Sequence, residues 1–301
     1  MVNVAVVILL SVLSVCATRG ADDIIDTPNL NSRSKVFVPE HRVGLESLVI
    51  GGSCGALEAF VNHPLWAWKT RQQYGDPFTL NPKLIYRGVV PNMVSMAGII
   101  SIRMSVRDYL MTVFDKPTFL TCGVSAFSGG LASSFLTSYI ELGMTQQQKL
   151  KEKTNFFKVH KMVYEKYGLS RNLTGTPWVG MRDGWFSFGF MALTPYVKAK
   201  LREITPSNND IALSMAAGIF SGSFSAFVSH PFDTIKSIQH ANAMSSNAED
   251  VSFLNIGKRI LKEEGVVGFY KGFLWRWARV ASGITLLAYS NEFLTNFIHE
   301  K

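Results

Sequence analysis

Three short segments set an acid and a base, or their replacements, at matching places: Pro64-Leu65-Trp66-Ala67-Trp68-Lys69, Tyr139-Ile140-Glu141-Leu142-Gly143-Met144 and Pro231-Phe232-Asp233-Thr234-Ile235-Lys236. Residues three apart share one helix face. Copies of such a segment lying side by side can therefore exchange ion pairs and plug a cavity. That is the chemistry of a closure rather than of bond making. The sequence carries no Ser/His/Asp set, no paired carboxylates and no metal-spaced cluster, and it lacks Gly-x-x-x-x-Gly-Lys. An enzyme and an ATP-driven pump are both disfavoured, and no cofactor or metal is implied.

The elements that must position these segments are apolar. Of 301 residues, 47% are apolar and 17% charged, against about a quarter charged in a soluble domain. Cys16, Cys54 and Cys122 are too few for a disulfide scaffold or a zinc ribbon. Residues 118–140 and 211–232 contain no Asp, Glu, Lys or Arg. Each can cross a bilayer core of about 30 Å at about 1.5 Å per residue. Residues 48–68 are similar, interrupted only by Glu58 and His63. Weaker spans follow each of these, at 88–102, 184–197 and 280–291.

Three strong–weak pairs suggest a threefold repeat. Gly51-x-x-x-Gly55, Ala126-x-x-x-Gly130 and Gly218-x-x-x-Gly222 are one small-residue motif, and nine residues later stand Pro64, Tyr139 and Pro231. Ahead of the weak spans, Tyr86-Arg87-Gly88, Trp178-Val179-Gly180 and Tyr270-Lys271-Gly272 correspond. Gly130 to Gly222, Tyr139 to Pro231 and Gly180 to Gly272 are all 92 residues apart. Between the first two copies the glycines Gly88 and Gly180 keep 92, but Gly55 and Gly130 are only 75 apart, so the shortening lies between Gln73 and Tyr86. Small residues four apart let helices approach closely in lipid. A proline near a span's end removes a backbone hydrogen bond and kinks the helix. Three such helices would converge at one end of a bundle, with Lys69, Glu141, Asp233 and Lys236 facing one another there.

At these residues the chain resembles the mitochondrial carrier family, whose repeats carry Pro-x-Asp/Glu-x-x-Lys/Arg and later an aromatic-basic-Gly. The resemblance covers roughly residues 43–298, and the third repeat fits it fully, through Gly265 and Tyr270-Lys271-Gly272. It implies an all-α membrane protein of six transmembrane helices in three pseudo-threefold repeats, at 43–112, 113–203 and 204–301. A hydrophobic N-terminal segment and linker at 1–42 precede them. It also implies the inner mitochondrial membrane and a central site exposed alternately to its two sides. Both termini would face the intermembrane space and the loop helices the matrix.

The same resemblance assigns residues and exposes departures. The matrix gate comprises Lys69, Glu141, Asp233 and Lys236 with glutamine braces Gln73 and Gln148. Trp66 stands in place of an acid, Tyr139 of a proline, Met144 of a base and His240 of the third brace. His240 reads as a polar end-cap or a proton sensor. The cytoplasmic gate falls twenty residues after each landmark glycine, on Asp108, Lys200 and Glu292, with Glu203 three after Lys200. Asp108 or Glu292 could pair with Lys200, but no complete ring is possible. Substrate contacts fall seven and eight after each glycine: Ser95 and Met96, Ser187 and Phe188, Arg279 and Val280. Arg279 suits a carboxylate or phosphate. Arg103, Arg182 and Arg276 read as site residues, as interhelical pairs or as side chains that snorkel to the headgroups. The nucleotide exchanger's arginine-rich motif is absent from the third repeat.

Lys149, Lys151, Lys153, Lys158, Lys161 and Lys166 crowd the second loop against Glu152 and Glu165. Such a loop meets anionic membrane lipids, cardiolipin among them, or is simply solvated. The net charge of +8 is dispersed at helix ends, which excludes a nucleic-acid partner. Residues 1–17 are an apolar run without a basic start, suited to a removable presequence, an interfacial anchor or an added helix. Two functions fit. One is a transporter of a small organic anion. The other is a transport-degenerate carrier fold serving as an accessory subunit of an inner-membrane assembly such as a respiratory complex.

Overall fold

The computed structural model describes residues 44–74, 80–86, 89–114, 117–149, 155–205 and 210–299. The expectations for residues 1–42 lie outside them. The described residues are helical and form three hairpins of long helices. The first pairs α1 (Gly44–Tyr74) with α2 (Val89–Val113). The second pairs α3 (Phe119–Lys149) with α5 (Thr176–Phe188), which runs on through a π-helical stretch, Gly189–Leu193, into α6 (Thr194–Ile204). The third pairs α7 (Asp210–Ala241) with α9 (Phe273–His299). Helices α4 (Phe156–Tyr167) and α8 (Phe253–Glu263) lie in the second and third connections. The first connection, too short for one, shows a single turn, Pro82–Ile85.

Gly44–Leu65, Phe119–Gln147 and Ile211–Ala241 are long and apolar enough to cross a membrane by length and composition. Each hairpin packs internally, α2 packs on α3, α5 on α7, and α9 on α1, so the ring closes. The small-residue motif explains the closeness. A methyl group on Gly55 would stand 2.5 Å from the Met96 carbonyl oxygen, and one on Gly222 the same distance from Ala281 Cα. Helices α1 and α7 run through Pro64 and Pro231.

Helix α8 docks by its own periodicity. Ile256 and Ile260, one turn apart on α8, bury against Ile235 of α7. The bundle's centre is filled from all sides. Ile50 and Cys54 of α1, Ile100 and Met104 of α2, Cys122 of α3, Phe190 and Met191 of the π stretch, Ala226 of α7, and Ile284 and Leu287 of α9 form one buried apolar cluster.

Candidate functional site

A chain of charged side chains links all three hairpins. Lys236 Nζ of α7 lies 2.7 Å from Glu141 Oε2 of α3 and 3.5 Å from Asp233 Oδ1. Arg182, midway along α5, donates through Nη1 to Glu141 at 2.9 Å and to Asp233 at 3.2 Å. Its other nitrogens reach Asp183 at 2.8 Å. Arg276 of α9 reaches Asp233 Oδ2 at 3.0 Å. Arg103 of α2 closes the chain, 2.5 Å from Asp183 Oδ2 and donating to Ser133 Oγ at 2.8 Å. Four cations thus share three acids. Charges removed from water are tolerable only when paired this densely, and the surplus is positive.

Glu141, Asp233 and Lys236 are brought together, as the helix-face spacing requires. Arg182 and Arg276 take the pairing role between helices rather than snorkelling. Lys69 and Gln73 lie on α1 and Gln148 on α3, but their side chains fall outside the described residues. A brace not expected from the sequence is Gln146, whose Nε2 donates to the His240 carbonyl at 2.5 Å and to that of Ala241 at 3.2 Å. His240 is fully buried, its Nε2 within 3.1 Å of the Thr174 carbonyl and 3.4 Å of Ser138 Oγ. Asp183, too, is not marked by the repeat spacing. The available signal was a carboxylate beside an arginine at the mouth of a span.

Tyr139, which replaces the second proline, stacks on His160 of α4 with ring centroids 3.7 Å apart. His160 Nδ1 also lies 3.0 Å from Asn172 Oδ1. Burial pushes the His160 imidazole below its usual range.

The cytoplasmic-gate expectation needs correction. Lys200 pairs with Glu203 on its own exposed helix surface at 2.9 Å, not with Asp108 or Glu292. Glu292 instead pairs with Lys198 and accepts from Ser214 Oγ at 2.7 Å. Asp108 accepts from Ser47 Oγ and from Arg107, each at 2.5 Å. The cause is the π-helical stretch. Pro195 offers no N–H to the preceding turn, and Thr194 Oγ1 donates to the Gly189 carbonyl at 2.7 Å. One inserted residue turns everything beyond it by about 100°. Counting from Gly180 therefore lands one residue short of the inward face, and Lys198, three before position 201, occupies that face.

The substrate-contact positions are not gathered in one shell among the described contacts. Ser95 and Met96 are half-buried, with the Met96 carbonyl against Gly55. Ser187 is fully buried, its hydroxyl without a hydrogen-bond partner among the described residues. Phe188 packs edge-on against Trp185 and Phe119, with centroids 5.6 and 5.8 Å away. It stands about 100° around the helix from Ser187. Arg279 is exposed, and its guanidinium has no ion-pair partner among the described residues.

Residues 207–301 match a family model described as mitochondrial carrier protein. A probable mitochondrial 2-oxodicarboxylate carrier of Dictyostelium discoideum is 26% identical over 85% of this chain and 91% of its own. The mitochondrial citrate transporter C of Aspergillus niger is 24% identical over 82% and 89%. Over most of its length the chain is similar to mitochondrial carriers. The match reaches larger members as well. The electrogenic aspartate/glutamate antiporter SLC25A12 of Homo sapiens is 24% identical over 80% of this chain but only 39% of its own length.

Proposed function

We propose that this protein moves a small organic anion, a carboxylate, across the inner mitochondrial membrane by alternating access. One observation carries the reading. Among the described residues, Arg279 presents a guanidinium without a counter-ion beside a cluster whose cations outnumber its acids, four to three. A field of that sign in a low-dielectric bundle attracts and holds an anion. A planar guanidinium grips a carboxylate through two parallel hydrogen bonds. The named relatives carry 2-oxodicarboxylates, citrate, and aspartate or glutamate, all carboxylates.

In this reading the second and third hairpins close the matrix side through Glu141, Arg182, Asp233 and Lys236. The outer barrier is apolar, because Met104, Phe190, Met191, Ile284 and Leu287 fill the centre while the gate positions on α2, α6 and α9 form no ring. Apolar constrictions close by excluding water. Opening then means parting packed side chains rather than breaking ion pairs. No observation on the described residues speaks for the accessory-subunit reading.

The test is uptake of labelled 2-oxoglutarate, citrate and glutamate into proteoliposomes. At least one should enter, and Arg279→Ala should lower its uptake more than tenfold, with Arg279→Lys between. Full uptake by the alanine variant would overturn the assignment.

A further inference from the structure

Among the described residues, five carboxylates on the long helices pair with a cation. Asp108, Glu141, Asp183 and Asp233 each lie 2.5–3.0 Å from an arginine, and Glu292 pairs with Lys198. Glu58, on α1, differs. It is 6% exposed, accepts from Asn62 Nδ2 at 2.9 Å, and has no cation within ion-pair distance among the described residues. A charge inside a span without a counter-charge is costly unless something completes it.

Glu58 looks across to α9. A methyl group on Gly283 would stand 3.2 Å from Glu58 Oε1 and 3.6 Å from Asn62 Nδ2. The missing side chain leaves the acid uncovered on that side. Arg279 precedes Gly283 by four residues and so shares its face of α9, about 6 Å nearer the charge cluster along the helix. The unmatched acid and the unmatched base therefore sit one turn apart on the seam between the first and third hairpins. They do not pair with each other. Helix α2, the other neighbour of α1, carries no charge between Val89 and Ile102.

We infer that Glu58 and Arg279 hold the two ends of a zwitterion: Arg279 takes the α-carboxylate and Glu58 the ammonium of an amino acid. This rests on reading Arg279 as the anion site and narrows its substrate class. A substrate with a second carboxylate in place of the ammonium would meet Glu58 as a like charge, so the same pair discriminates against it.

Glutamate and 2-oxoglutarate share both carboxylates and differ at C2. There one carries an ammonium and the other a keto oxygen that offers Glu58 no positive charge, so they serve as the paired probes. Full-length protein in proteoliposomes should take up glutamate in preference to 2-oxoglutarate, and Glu58→Gln should lower that ratio at least tenfold. In detergent, glutamate should raise the unfolding temperature more than 2-oxoglutarate does, and Glu58→Gln should erase the difference. Equal uptake of both probes, or an unchanged ratio in Glu58→Gln, would overturn the zwitterion site while leaving the anion reading intact. Loss of pH dependence in Glu58→Gln with the ratio kept would assign Glu58 to a proton and overturn the proposal equally. Discriminating binding without uptake of either probe would uphold the site and defeat the transport reading. Neither binding nor uptake would end both.

Discussion

Lys236 Nζ lies 2.7 Å from Glu141 Oε2, across the boundary between the third and second hairpins. Glu141 also accepts from Arg182, so one carboxylate neutralises two cations in a cluster that is short of acids. The two partners are therefore not equivalent. Glu141→Gln leaves two cations facing each other and should cost about 2–3 kcal/mol. Lys236→Met removes surplus positive charge and should cost less than half as much. At about 2–4 °C per kcal/mol, the unfolding temperature in detergent should fall by roughly 5–10 °C for the first and clearly less for the second. The double variant should recover part of the loss. Equal effects would mean that the cluster's net charge does not matter.

Gly55 on α1 and Gly98 on α2 have opposite surroundings. A methyl group at Gly55 meets the Met96 backbone at 2.5 Å, whereas nothing stands within 4 Å of one at Gly98. Gly55→Ala should overpack the α1–α2 contact and cost about 1–3 kcal/mol. Gly98→Ala removes backbone freedom from a helix interior and should stabilise by about 0.5–1 kcal/mol. Thermal unfolding of the two variants should shift in opposite directions. A destabilised Gly98→Ala would show that this helix face is less open than the structure has it.

What was legible in the sequence follows from what repeats. The small-residue motif and the charge-free spans recur at fixed spacing, so the three hairpins and the meeting of Glu141, Asp233 and Lys236 could be read directly. Spacing arguments assume an unbroken helix, and they failed where Pro195 forces a π turn and moves Lys198, not Lys200, onto Glu292. They also favoured residues that match between copies. Asp183, Gln146 and Glu58 have no acidic or amide counterpart at the equivalent places, so no repeat drew attention to them. Their roles come from neighbours on other helices, which a single sequence does not rank.

His160 supplies a pH dependence whose sign is fixed by burial. It stacks on Tyr139, bonds to Asn172, and is held below its ordinary range because its charged form is poorly solvated there. Below about pH 6.5 the unfolded chain binds a proton that the folded chain resists. Stability should therefore be level above that point and decline as the pH falls beneath it. His160→Gln keeps a polar side chain at the site but cannot titrate, so its unfolding temperature should start lower, for want of the ring stack, and vary less with pH. Measuring wild type and variant from about pH 5 to 8 separates the two effects. Parallel curves would show that the acid sensitivity belongs to another group.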